Sequence, residues 1–211
     1  MKKVFLLIGL ILGVFTAKAQ TASGDLFIGG AFQFSSSGGE QTTGPTTTES
    51  NTSISFTASP RVGYFISDKT AVGASIGYSL NGNTDPDDDF TRSNLIFFQP
   101  FARYYVPVSE EINFYGQGAA GINFGGSKRV DDNTETDTGD IFAFNVGLRA
   151  GVAIFPAERI NIDLGFNILS FSSTRNTNPA IDPAEETTSV TNRFNFGFNS
   201  FAPNIAVNYF F

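Results

Sequence analysis

The sequence predicts an all-β chain, an eight-stranded antiparallel up-and-down transmembrane β-barrel. Three observations carry the prediction. Apolar residues recur with period two in segments of about ten to sixteen residues, the spacing of strands with one apolar side. The gaps between segments alternate strictly between long and short. The face opposite the apolar one is built of Gly, Ser and Asn, with almost no Lys or Glu.

The first nineteen residues lie outside this pattern. Met1-Lys2-Lys3 is a short basic start, Val4 to Phe15 an apolar run, and Ala17-Lys18-Ala19 fits the small-x-small rule of a signal peptidase site. Residues 1–19 therefore read as a signal peptide cleaved before Gln20, and residues 20–211 as one barrel. The run is shorter than the roughly 20 residues of a spanning helix, which disfavours an N-terminal anchor. Loss of Lys2, Lys3 and Lys18 takes the net charge from −7 to about −10. No later stretch is a spanning helix, so a mature chain in a membrane must cross with strands.

The eight segments are about 24–34, 53–66, 71–80, 93–106, 111–125, 141–155, 160–171 and 193–211. In the second, Ile54, Phe56, Ala58, Pro60, Val62, Tyr64 and Ile66 oppose Ser53, Ser55, Thr57, Ser59, Arg61 and Gly63. The third sets Val72, Ala74, Ile76, Tyr78 and Leu80 against Gly73, Ser75, Gly77 and Ser79. In the sixth, Phe142, Phe144, Val146, Leu148, Ala150, Val152 and Ile154 share one face, and Asn145, Gly147, Arg149 and Gly151 the other. The seventh opposes Ile162, Leu164, Phe166 and Ile168 to Asn161, Asp163, Gly165 and Asn167. In the eighth, Phe194, Phe196 and Phe198 have the opposite parity to Tyr209 and Phe211, which predicts a bulge near Asn199–Pro203 or an extension above the membrane. Pro60 and Pro100, at matching points before two short turns, predict local bulges as well.

The short gaps are Ser67–Thr70, Pro107–Glu110 and Pro156–Arg159; the long ones are about 35–52, 81–92, 126–140 and 172–192. In an up-and-down barrel all long connections then lie on one side. Membrane barrels of this class have short periplasmic turns and long external loops, so both termini are expected in the periplasm and four acidic loops outside. A soluble barrel would carry a Lys/Glu-rich outer face; here the small polar face suits a narrow interior, and the large apolar face must meet hydrocarbon. Tyr64, Tyr78, Tyr104, Phe155 and Tyr209, near strand ends, are expected in interfacial girdles.

On the predicted inner faces stand Arg61, Arg103 and Arg149 with Asp25 and Asp163. Buried charges need partners, so these are expected to form a network with Asn113, Gln117, Asn145 and Asn161. The competing reading is a narrow solute path lined by the same residues. Structural plugging is preferred, because eight strands leave an interior just wide enough for side chains.

The chain ends Ile205-Ala206-Val207-Asn208-Tyr209-Phe210-Phe211, with Ile205, Val207, Tyr209 and Phe211 alternating from the terminus. This resembles the C-terminal signal of bacterial outer-membrane barrels. With the Ala-Gln at the cleavage site and Arg103-Tyr104-Tyr105 before a turn, the mature chain is similar to small outer-membrane barrels of the OmpX and OmpA-barrel type, in the version common in Bacteroidota. The resemblance implies residence in outer-membrane lipid, recognition of the terminal Phe211 motif by the barrel insertion machinery, and no enzyme activity. The barrel enzymes of this size use a His, which this chain lacks.

Composition narrows the chemistry further. His, Cys and Trp are absent, which excludes a His base, a Cys nucleophile, disulfides and a zinc site of the usual kind. Lys+Arg 13 against Asp+Glu 20 is the wrong balance for nucleic acid. Asp85, Asp87, Asp88 and Asp89 fail the EF-hand register, whose sixth position is Phe90 rather than Gly, and read as a solvated acidic loop. The Asn51-Thr52-Ser53 sequon reads as chance. No cofactor is expected. The expected role is a filled, monomeric barrel acting through its external loops on an extracellular partner; the alternative is a narrow pore or carrier for small or apolar solutes.

Overall fold

Side chains alternate across a strand, so a wall with hydrocarbon on one side and a polar interior on the other is written as alternating apolar and small polar residues. The computed structural model describes residues 21–43, 46–85, 90–131, 134–178, 187–197 and 204–211. Its strands are β1 (Leu26–Thr43), β2 (Thr46–Ser67), β3 (Thr70–Thr84), β4 (Phe90–Pro107), β5 (Ile112–Asp131), β6 (Thr134–Ala157), β7 (Ile160–Asn178), β8 (Thr187–Phe196) and β9 (Asn204–Phe210). From β1 to β7 each strand pairs antiparallel with the next. β9 pairs with β7 on one side and β1 on the other, which closes a ring of eight staves. The signal-peptide reading falls on residues 1–19, outside the described residues.

The eighth stave is two strands. β9 forms its lower part and β8, paired with β7 from Leu169↔Phe196 to Asn178↔Thr187, its upper part. Gly165 and Leu169 are four positions apart on β7, while their partners Asn204 and Phe196 are eight apart. The bulge expected at Asn199–Pro203 lies outside the described residues; β7 carries one of its own. Its register against β6 shifts between Leu148↔Leu169 and Arg149↔Asn167, leaving Ile168 as the extra residue. Below it Asp163 and Gly165 face inward, and above it Ser170 faces inward beside Gly147.

Two expectations are corrected here. The long gaps are largely strand: β1 and β2 continue to Thr43 and Thr46, β5 and β6 to Asp131 and Thr134, and β7 and β8 to Asn178 and Thr187. A strand standing above the apolar band is wet on both sides, so it loses the alternation that marks a strand in sequence, while Thr-rich stretches keep the propensity to extend. The prolines make no bulge. The β2–β3 ladder omits Ser59 and Pro60, and the β4–β5 ladder omits Gln99 and Pro100, yet the register resumes unchanged on the far side of each. A proline removes a donor without adding a residue, so pairing lapses locally and the count across the ladder stays equal.

The outward face is apolar: Phe144 is 40% exposed, Phe142 44% and Leu148 53%, while Ala143 and Ala153 of the same strand are buried inside. Tyr64 and Tyr104 stand exposed on the outward face towards the short-turn end, and Tyr78 stands further up. Phe155, expected in that girdle, is buried instead. It points inward with the parity of Ala153 and stacks its edge against Phe210, ring centroids 5.4 Å apart.

Candidate functional site: the barrel interior

The lower interior is filled by rings. Phe27, Phe65, Phe101, Tyr105, Tyr115, Phe155 and Phe210 form one buried cluster with Ala71 and Ala153. Phe27 stacks on Phe210 at 5.4 Å, and Phe65 on Tyr105 at 5.4 Å. The small residues of the inner face make this possible. A Cβ on Gly63 would collide with the Phe27 ring, and one on Gly151 or Gly165 would collide with Tyr115. The polar face of the sequence is therefore small chiefly because rings lie across it.

Above the rings sits a charged layer. Arg103 from β4 is almost wholly buried, its guanidinium 4.1 Å from the centroid of Tyr115. It donates from Nη1 to Asp163 Oδ2 at 2.6 Å and to the Tyr105 hydroxyl oxygen at 3.1 Å, and from Nε and Nη2 to Gln117 Oε1 at 2.9 and 2.7 Å. Arg61 from β2 also donates to Asp163 Oδ2, and from Nε to Asn208 Oδ1 at 2.8 Å. Asn161 donates to Asp163 Oδ1 at 2.8 Å, and Asn208 Nδ2 to Oδ2 at 3.3 Å and to Asn161. One carboxylate thus organises two arginines and two amides from four staves. Arginine suits this position, because its flat fork can stack on a ring and hydrogen-bond at its edge together.

Three of the five charged residues predicted for the interior meet here: Arg61, Arg103 and Asp163. Arg149 lies higher and donates from Nε to Asn167 Oδ1 at 3.1 Å. Asn145 belongs to a separate amide group, accepting from Gln99 at 3.0 Å and donating to Asn123 at 3.4 Å. Asn113 is buried on the inner face. Asp25 does not join the network. It sits just before β1 at the rim, where its Oδ2 accepts from the Ala22 amide at 2.8 Å and its carbonyl from Phe65 N–H at 2.8 Å. It stops one residue short of the alternating strand, so extending the parity to it misplaced it.

Parity could have found what was missed. Tyr105 shares a face with Arg103, and Tyr115 with Asn113 and Gln117, so both belong inside. Asn208 has the inward parity opposite Val207 and Tyr209. At the terminus, Ile205 and Val207 face outward and are exposed, and Phe211 packs edge-on to Tyr209 at 5.1 Å. Further up, the inner face of β2 and β3 is a ladder of short polar bonds: Thr57–Ser79 at 3.0 Å, Ser55–Asn81 at 2.8 Å and Ser53–Asn83 at 2.8 Å.

A closed antiparallel ring, apolar outside and polar inside, defines a transmembrane β-barrel. The chain belongs to the outer membrane protein beta-barrel domain family, whose pattern matches residues 5–199, and its location is the cell outer membrane. No curated protein matches it by sequence. Among solved structures it is similar to OprG of Pseudomonas aeruginosa (13% identity over 92% of this chain and 99% of that one, TM-score 0.49). It is also similar to Neisserial surface protein A (12%, 89% and 97%, TM-score 0.46) and to the attachment invasion locus protein Ail of Yersinia pestis (13%, 90% and 99%, TM-score 0.40).

Proposed function

We propose that the protein is a non-conducting structural and surface-interaction barrel, which holds four β-hairpins beyond the membrane for contact with an extracellular partner. One observation carries this reading: the ring cluster from Phe27 to Phe210, capped by the Arg103–Asp163 pair, fills the cross-section at the end where the chain terminates. A bore filled there by side chains gives ions no continuous water path. The hairpins support the second half. They continue as paired strands, and Glu135 bridges Arg92 at 2.6 Å and Lys128 at 3.4 Å, tying β4, β5 and β6 together above the apolar band. On this reading the outward Ile205, Val207, Tyr209 and Phe211 serve the barrel insertion machinery.

Planar-bilayer recording tests it. The purified protein is expected to be silent, whereas Phe27→Ala combined with Phe210→Ala removes two stacked rings from the plug and is expected to give discrete openings. Steady openings in the unaltered protein, abolished by Arg103→Ala, would contradict the closed floor.

A further inference from the structure

On the outer wall a groove of about 600 Å³ is lined by Asn94 of β4, Gly126 and Lys128 of β5, and Asp137 and Asp140 of β6. The ladders set its place. Ile96, Phe124 and Phe142 stand side by side on the outward face, and the next outward rung up is Asn94, Gly126 and Asp140. The rings of Phe124 and Phe142 pack with centroids 5.4 Å apart on the rung below. The groove thus begins where the apolar band ends. Gly126 gives it depth, because the wall carries no side chain there.

A bulge assembles the polar lining. Simple alternation would send Asp137 and Asp140, three residues apart, to opposite faces. The register against β5 shifts between Ser127↔Gly139 and Lys128↔Asp137, so Thr138 is the extra residue and both carboxylates stand outward. Gly139 permits this: its φ is 151°, and a Cβ there would lie 2.5 Å from the Thr177 carbonyl oxygen. Asp137 Oδ1 lies 3.5 Å from Lys128 Nζ. Asp140 is exposed and makes no ion pair among the described residues. Asn94 Oδ1 accepts from the Tyr78 hydroxyl at 2.7 Å, so what Asn94 offers a ligand is its Nδ2 donors.

This mixture of groups selects the occupant. A bare phosphate would meet the carboxylates of Asp137 and Asp140, and a bare cation would meet Lys128. A sugar hydroxyl both donates and accepts, so it satisfies carboxylate and amino groups within one groove, and its bonds to a carboxylate are of the stronger, charge-assisted kind. The volume lies in the range of small-ligand sites. The chain resides in the outer membrane and the groove opens downward onto its apolar wall, where exposed Ile96, Phe124 and Phe142 suit acyl chains below a sugar. We infer that the groove holds the sugar ring of an outer-leaflet glycolipid. Its hydroxyls donate to Asp137 and Asp140 and accept from Lys128 and Asn94, and its acyl chains lie down the wall over Phe124 and Phe142. The site lies outside the bore and below the ends of β5 and β6, so it is independent of the role proposed above.

The test uses the full barrel in nanodiscs of dimyristoyl phosphatidylcholine with rising fractions of monoglucosyl dimyristoylglycerol, ¹³C-labelled in the sugar and followed by NMR. Saturable binding at one site is expected. Asp140→Ala, at an exposed residue, should raise the half-saturating fraction about tenfold, the worth of one hydrogen bond to a charged group. Gly126→Val, which fills the floor of the groove, should do the same, with folding checked by heat-modifiable gel migration. Ile28→Ala, outward on β1 at the far side of the ring, should leave the fraction unchanged. On the unaltered protein, which needs no variant to fold, dimyristoyl phosphatidic acid should not compete. Binding that never saturates would mean surrounding lipid only and would overturn the proposal. So would an unchanged half-saturating fraction in Asp140→Ala, or competition by phosphatidic acid as strong as that by the glucolipid. Competition by water-soluble methyl glucoside as strong as that by the glucolipid would overturn the assignment to a membrane lipid.

Discussion

Asp163 is the residue on which the interior depends most. Its carboxylate meets two guanidinium groups and two amides, and its side chain is almost wholly buried. Removing one partner of a buried pair costs more than the pair contributes, because the remaining charge stays desolvated. Asp163→Asn leaves Arg61 and Arg103 facing each other without an anion and should destabilise the barrel by about 3–5 kcal/mol. Equilibrium unfolding in urea from lipid vesicles measures this. A loss under about 1 kcal/mol, the size of an exposed surface pair, would mean that the arginines are solvated and the layer is not sealed. Ser23 and Asp25 offer a contrast at the rim. There Asp68 Oδ1 accepts from the Ser23 amide at 3.0 Å and Asp25 from Ala22, so these carboxylates close the chain entry and not the bore.

At the scale of the element, β6 shows what alternation can and cannot reveal. Between Ile141 and Phe155 the sequence alone gives the correct facing, because lipid on one side and a narrow interior on the other leave each residue one tolerable orientation. The same rule applied to Tyr105, Tyr115 and Phe155 places them in the plug, but an aromatic residue near a strand end also fits an interfacial girdle, and only packing decides between the two. From Thr134 to Asp140 both faces of β6 are wet, no alternation is imposed, and strand cannot be told from loop. The split of the last stave was legible as a change of parity between Phe196 and Tyr209; the bulge at Ile168 that answers it was not, since one inserted residue leaves an apolar run looking continuous. The facing of β6 makes a direct prediction. Phe144→Arg puts a charge against hydrocarbon and should cost about 2–4 kcal/mol at the midplane, less near the interface. Asn145→Ser, one residue on and inside, should be mild. Folding yield by heat-modifiable gel migration compares them, and equal tolerance would contradict the assigned faces.

The whole molecule is a cylinder with unlike ends. Towards the chain termini it is packed with rings beneath a charged layer; towards the hairpins its inner wall carries a ladder of Ser, Thr and Asn. Both halves rest on one arrangement, apolar side chains outward and small or charged ones inward around a closed ring. Spin-label accessibility measures that arrangement most directly, since every introduced cysteine is the only one in the chain. Labels at Phe144→Cys and Leu148→Cys in lipid bilayers should collide readily with dissolved oxygen and little with a water-soluble nickel chelate, and a label at Asn145→Cys should show the reverse. Nickel access at 144 and 148 together with oxygen access at 145 would contradict the account.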